Sequence, residues 1–141
     1  MSANGRPRSD AFVFFGASGD LVFKKIFPAL YRLAARGKID LPLIGVARTR
    51  STLEEFRERA RKSLEEHGKV EPKVFDVLAK HLTYIQGDYG DQAMYAALKK
   101  ELGDAKHPAY YLAIPPSVFP TVIEGLGKSG CAAKIGVCHR E

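Results

Sequence analysis

The chain has 141 residues, 45% hydrophobic and 27% charged, which suits one domain with a proper buried core. It has no apolar run near the ~18 residues of a membrane-spanning helix, and the polar opening MSANGRPRSD lacks the apolar centre of a signal peptide, so residues 1–10 read as a disordered lead-in to a domain over 11–141. The net charge of +6 suits an anionic ligand, but it is spread over helix faces instead of gathered into a stripe with aromatics, so no nucleic-acid partner is expected.

Residues 11–15, AFVFF, predict a buried strand. The glycine-rich turn Gly16-Ala17-Ser18-Gly19 follows, then a helix with apolar residues at Val22, Phe23, Ile26, Phe27, Leu30 and Leu33. Strand, glycine turn and helix opening are how α/β folds hold a phosphate: glycines let backbone N–H groups approach, and the helix start carries about half a positive charge. The turn reads G-x-x-G-D-L, not the common G-x-G-x-x-G, and two glycines also serve turn geometry alone. Pro28 falls inside the helical pattern and predicts a kink or a late start of regular helix, with Arg36-Gly37 closing it.

Residues 41–47 predict a second strand ending in Ala47-Arg48-Thr49-Arg50, and Ser51-x-x-Glu54 reads as the capping box of a helix that runs to Gly68. Leu53, Phe56, Ala60 and Leu64 line one face of it, and the charged residues opposite, Arg59 among them, read as a solvated surface. Pro72 opens a short helix to His81, residues 82–86 form a third strand, and Asp91 caps a helix closed by Gly103. Residues 109–114 are a fourth strand, ended by Pro115-Pro116; residues 117–127 are a helix, and 135–138 a weak fifth strand. Cys131 and Cys138 are too few for a disulfide framework and lack a second ligand pair for zinc, so they read as free thiols of a reducing cytoplasm, with no metal. Strands alternating with helices imply a doubly wound parallel sheet, a Rossmann-like dinucleotide-binding domain, with ligands at the carboxyl ends of the strands.

The end of the second strand discriminates between nucleotides. An acidic residue there accepts a ribose 2′-hydroxyl, whereas arginine accommodates a 2′-phosphate. Arg48 and Arg50 flank Thr49, with no carboxylate until Glu54. A guanidinium fork matches phosphate bidentately, and two arginines on an exposed loop are the plain alternative; their place at this strand end, with the resemblance below, favours NADP, with NAD a weaker alternative.

The string GASGDL followed by KKIFPALY closely resembles the start of glucose-6-phosphate dehydrogenases, and LIGVARTR, YIQGDYGD and YYLAIPPSVF extend the resemblance over about residues 11–130. The resemblance implies that Gly16, Ala17, Ser18, Gly19, Asp20 and Leu21 meet the dinucleotide through backbone amides and Ser18, with Asp20 treated as a structural cap within the motif. It places Lys25 towards the cofactor–substrate junction, where a plain surface lysine is the alternative. Arg48 and Thr49 fall at the 2′-phosphate, Asp88 and Tyr89 near the adenosine, and Pro115 and Phe119 on the nicotinamide side. Family members often carry tyrosine where Phe119 stands.

The resemblance also implies oxidation of glucose 6-phosphate with hydride transfer to NADP, and homo-oligomers formed through a large substrate domain. That domain, the EKPFG-type segment and the RIDHYLGKE-type segment with the catalytic histidine are not in this chain. The expectation is therefore the cofactor half of the enzyme, incomplete at its C-terminal end and inactive alone, with no catalytic residue assigned. Residues 130–141 depart from the apolar strand expected there, which fits a frameshift or a misplaced gene end. Two rival readings stand beside it: a non-catalytic NADP-binding module, and a short-chain dehydrogenase using the Tyr95-x-x-x-Lys99 pair for acid–base work.

Overall fold

The computed structural model describes residues 9–131 and 137–138. Five parallel strands, β1 (Ala11–Phe15), β2 (Leu43–Ala47), β3 (Leu82–Gln86), β4 (Pro108–Leu112) and β5 (Val137–Cys138), lie in the order β3-β2-β1-β4-β5. The helices are α1 (Phe27–Ala35), α2 (Leu53–His67), α3 (Pro72–His81), α4 (Gln92–Leu102) and α5 (Phe119–Ser129). Side chains of a strand alternate between faces, and β1 shows why both faces need cover. Ala11, Val13 and Phe15 enter one core with α4 and α5, and Phe14 enters the other with α1, α2 and α3.

This is the doubly wound α/β architecture expected. Because β2 and β4 lie on opposite sides of β1, the order reverses between β1 and β4, and a crevice opens beyond their carboxyl ends. No helix among the described residues is long and apolar enough to cross a membrane.

Several local expectations shift. Helical conformation begins at Asp20, passes through a π-helical turn at Val22–Ile26, and becomes regular α only at Phe27. Phe27 donates its N–H to Val22 C=O, one residue further back than in an α-helix, and the wider turn lets Pro28 enter as a first-turn residue of α1. The late start is thus real and has a cause.

The capping box of α2 is Thr52 with Glu55, not Ser51 with Glu54: Thr52 N–H donates to Glu55 Oε1 at 2.8 Å and Glu55 N–H to Thr52 Oγ1 at 3.1 Å. Strand β4 begins and ends earlier than expected, and a 3-10 turn, Pro116–Val118, precedes α5. Asp10, assigned to the lead-in, is tied down instead. Its carboxylate accepts the N–H groups of Lys106 and His107 at 2.7 and 2.9 Å, which fixes the start of β1 beside that of β4. Residues 1–8, 132–136 and 139–141, which include the rest of the lead-in and most of the anomalous tail, lie outside the described residues.

Candidate functional site

The crevice is built on one glycine. Gly16 leaves β1 with φ +82°, and a Cβ placed on it would lie 2.1 Å from Ala113 O in the loop after β4. Both constraints demand glycine: the left-handed conformation and the approach of two loops whose contact makes the crevice floor. Its N–H is shared between Val46 C=O at 2.9 Å and the Tyr89 hydroxyl at 3.1 Å, so the ends of β1 and β2 and the loop after β3 meet at one amide.

These bonds correct the expectation that the whole turn offers its amides to a ligand. Ala17 N–H also donates to Val46 C=O, at 3.1 Å, and Gly19 N–H to Gly16 C=O, at 2.9 Å. Buried N–H groups beside a carbonyl are satisfied by it, and the Ala17 side chain is itself fully buried in the α1–α3 core. What the turn can still present is Ser18 and the N–H groups of Asp20, Leu21 and Val22, which as the first of a helix have no intrahelical acceptor. Asp20 is not a cap. It lies within the first helical turn, exposed, 3.9 Å from Lys24 Nζ.

Beyond β2 the chain runs Arg48-Thr49-Arg50, all exposed. Ser18 Oγ and Thr49 Oγ1 are 2.9 Å apart, which joins the glycine turn to the end of β2. The backbone there is pinned from β3, where Gln86 Nε2 donates to Arg48 C=O at 3.1 Å and the Tyr84 hydroxyl donates to Thr49 C=O. Arg48 Nε lies 3.0 Å from Asp88 Oδ1, with both side chains about two-thirds exposed. An ion pair in that setting contributes at most about 1 kcal/mol, so a competing anion can separate it.

Three cavities share this rim. One of about 490 Å³ lies between Ser18, Arg48, Gln86 and Tyr89. A second, of about 470 Å³, fills the crevice itself, between Gly16, Gly19, Ala113, Pro115, Val118 and Thr121. The third, about 290 Å³, lies on the other side of the Ser18–Thr49 pair, against Arg50, Arg59 and Tyr84. The row follows the carboxyl ends of the strands, as an extended dinucleotide requires. Desolvation raises the Tyr89 phenol above its ordinary pKa, more than Gly16 N–H and Arg48 lower it, so Tyr89 meets the crevice as a neutral hydroxyl.

The structure brings Gly16, Ser18, Gly19, Arg48, Thr49, Asp88, Tyr89 and Pro115 to this rim and leaves others off it. Leu21 is half-buried in the first helical turn, and Lys25 is exposed on the π-helical turn. Phe119 does not wall the crevice. It packs on the α4–α5 core, and Val118 and Thr121 stand at the wall. Arg59, which the sequence left on a solvated face, borders the third cavity, and the available signal was its place between the buried Phe56 and Ala60 of α2.

Tyr95 is wholly buried and donates its hydroxyl proton to Tyr89 C=O at 2.6 Å, and desolvation, with Tyr89 and Cys131 adding to it, pushes its pKa well up. That geometry removes Tyr95 from acid–base work, and with it the short-chain reading.

Relatives agree with the architecture. Among solved structures, glucose-6-phosphate 1-dehydrogenase from Mycobacterium avium superposes with a TM-score of 0.89 at 38% identity, over 95% of this chain and 30% of that one. A glucose-6-phosphate dehydrogenase in complex with its substrate glucose-6-phosphate gives 0.80 at 30% identity, over 96% and 30%. Glucose-6-phosphate 1-dehydrogenase 1 of Mycobacterium tuberculosis is 39% identical over 126 residues, 89% of this chain, and the Aspergillus niger enzyme 37% over 136, 90% of this chain. The chain spans about a quarter of the length of these curated relatives, 27% and 26%. The family pattern described as glucose-6-phosphate dehydrogenase, NAD binding domain, matches residues 13–140. A parallel sheet with its crevice at the β1–β4 reversal and a pattern matched over nearly the whole chain lead to one conclusion: the chain belongs to the glucose-6-phosphate dehydrogenase family and carries its dinucleotide-binding domain.

Proposed function

We propose that this chain is the NADP-binding half of a cytoplasmic glucose-6-phosphate dehydrogenase, which oxidises glucose 6-phosphate to 6-phosphogluconolactone with hydride transfer to NADP. The observation that carries the choice of NADP is the end of β2, where Arg48, Thr49 and Arg50 stand at the rim and Asp88 is engaged by Arg48 instead of being left to accept a ribose 2′-hydroxyl.

The residues fit such a cofactor. The crevice floor admits no Cβ at Gly16, and the cavities lie in a row along the strand ends. Ser18 and the free N–H groups of the first helical turn would hold the pyrophosphate, against the positive end of the helix. Arg48 and Thr49 would take the 2′-phosphate, Asp88 and Tyr89 would flank the adenosine, and Pro115 would border the nicotinamide. Lys25, exposed, is left for the junction with a sugar phosphate. When bound, the nicotinamide supplies the hydride acceptor; this chain binds and orients it.

No described histidine stands at the crevice as a base: His67 and His81 bond Ser63 C=O and Val77 C=O of their own helices through Nδ1, and His107 is exposed before β4. The isolated chain is therefore expected to show no turnover with glucose 6-phosphate.

Calorimetric titration of the 141-residue chain with NADP⁺ and with NAD⁺, beside Arg48→Ala, tests the reading. Saturable binding that favours NADP⁺ is expected, and loss of the charge-assisted contact at Arg48 should weaken it by roughly tenfold or more. Equal affinity for both nucleotides, or no binding by a chain with a folded circular-dichroism spectrum, would overturn it.

A further inference from the structure

We infer that Arg59 is a specificity-determining residue: with Arg50 it brings a second guanidinium, from the far side of the Ser18–Thr49 pair, to the 2′-phosphate that Arg48 and Thr49 take. The inference rests on the NADP reading above and extends it to a residue on a helix whose charged face looks merely solvated.

The geometry is particular. Arg59 comes from the second turn of α2, yet its guanidinium carbon lies 4.7 Å from the centre of the Phe23 ring on the π-helical turn. Its Nη2 donates to Gly19 C=O at 3.4 Å. A planar cation laid over an aromatic face is held in orientation, and little freedom remains to be lost when an anion binds. Arg59 Nε is sealed from water without an acceptor among the described residues. Burying a charged donor unsatisfied is unfavourable, and here the cation is held in place without a carboxylate.

The charge balance separates the two sides of the Ser18–Thr49 pair. On one side Arg48 is neutralised by Asp88. On the other, Arg50, Arg59, Thr49 and Ser18 border the 290 Å³ cavity, and among the described residues neither Arg50 nor Arg59 has an ion-pair partner. Glu55 also borders the cavity and keeps its negative charge, with Oε1 turned to Thr52 N–H in the capping box, so the two guanidiniums leave the lining with a net positive charge. Two guanidiniums outside any direct ion pair among the described residues, and two hydroxyls, around a space of this size suit a terminal phosphate dianion better than a neutral ribose hydroxyl.

The decisive measurement compares Arg59→Gln, Arg59→Lys and the unaltered chain in calorimetric titrations with NADP⁺, NAD⁺ and 2′,5′-ADP. Arg59→Gln should weaken NADP⁺ and 2′,5′-ADP by about tenfold, the loss of one charge-assisted contact, and move NAD⁺ by less than about twofold. Arg59→Lys, which keeps the charge but not the planar stack, should fall between. An unchanged NADP⁺ to NAD⁺ ratio in Arg59→Gln overturns the role of Arg59, and so does an equal loss of both nucleotides, which marks a merely structural arginine. If Arg59→Gln does not fold, Arg59→Lys decides: the full NADP⁺ preference retained overturns the inference. A preference for NADP⁺ in the unaltered chain that survives Arg59→Gln defeats only this inference. No preference in the unaltered chain defeats the NADP reading as well.

Discussion

Gly16→Ala tests the site where conformation, packing and binding converge. An alanine at φ +82° occupies the left-handed region, which costs an L-residue about 1–2 kcal/mol. The new methyl would also lie 2.1 Å from Ala113 O and 2.9 Å from Ala113 C, closer than real contacts allow, and the obstacle is backbone that cannot swing aside. Relief requires the turn after β1 and the loop after β4 to separate, an overpacking cost of about 1–3 kcal/mol. Together the two come to about 2–5 kcal/mol, a substantial share of a typical stability of about 5–15 kcal/mol.

For a domain of this size that lowers the melting temperature by about 6–15 °C. Gly37→Ala separates the contributions, because Gly37 has φ +68° but nothing within 4 Å of where an added methyl would lie, so it carries only the conformational cost of about 1–2 kcal/mol. The assay is thermal denaturation followed by circular dichroism on both variants, then NADP⁺ titration of Gly16→Ala below its transition. Because the separation opens the crevice floor, NADP⁺ affinity should fall about tenfold or more in Gly16→Ala and stay unchanged in Gly37→Ala. Melting temperatures within about 2 °C of each other, with equal affinities, would refute the claim that the Gly16–Ala113 approach builds the site.

Thr52→Ala should cost about 1 kcal/mol in urea denaturation through loss of the capping box, and Ser51→Ala less than about half of that; the reverse order would move the box back to Ser51. Asp10 gives a pH signature. Desolvation alone would raise its carboxyl, but the N–H groups of Lys106, His107 and Asp10 itself outweigh it and hold the group below the ordinary carboxylate range. Its folded pKa is lower than its unfolded one, so the stabilisation is present above about pH 4 and is lost as pH falls through the folded value. The gap in urea midpoint between the unaltered chain and Asp10→Asn should therefore be constant from neutral pH to about pH 5 and close below about pH 4; a gap that widens on acidification would sink the assignment. Tyr95→Phe should lose about 1 kcal/mol with its bond to Tyr89 C=O and leave the NADP⁺ to NAD⁺ preference unchanged, as titration and melting on one sample will read.

What the sequence made legible was local. AFVFF, the glycine turn and the apolar spacing after it specify a strand, a tight exit and a helix without reference to the rest of the chain, and the parallel sheet follows from their repetition. The capping box slipped by one residue because Ser51-x-x-Glu54 and Thr52-x-x-Glu55 both satisfy the pattern; Phe56 N–H donating to Thr52 C=O sets the register. The turn's amides were misread for a different reason. Whether an N–H is free depends on what stands across from it, and Val46 C=O accepts from both Gly16 and Ala17 only because β2 lies beside β1 in the folded sheet.

Charge was the least legible property, since a guanidinium's role is set by its neighbours and not by its spacing. Arg48, at the expected position, is largely balanced by Asp88, which the chain brings back 40 residues later at the end of β3. Arg59, on a helix face whose charges read as solvated, is the one laid on Phe23 and turned to Gly19. A strand end tells which face a nucleotide meets; the pairing of each cation tells how much field is left for a phosphate. By that measure, and on the inference drawn for Arg59, the discriminating charge of this rim divides between Arg50 and Arg59 on one side and, on the other, Arg48, which a dianion can draw from Asp88, an exposed pair holding at most about 1 kcal/mol against that exchange.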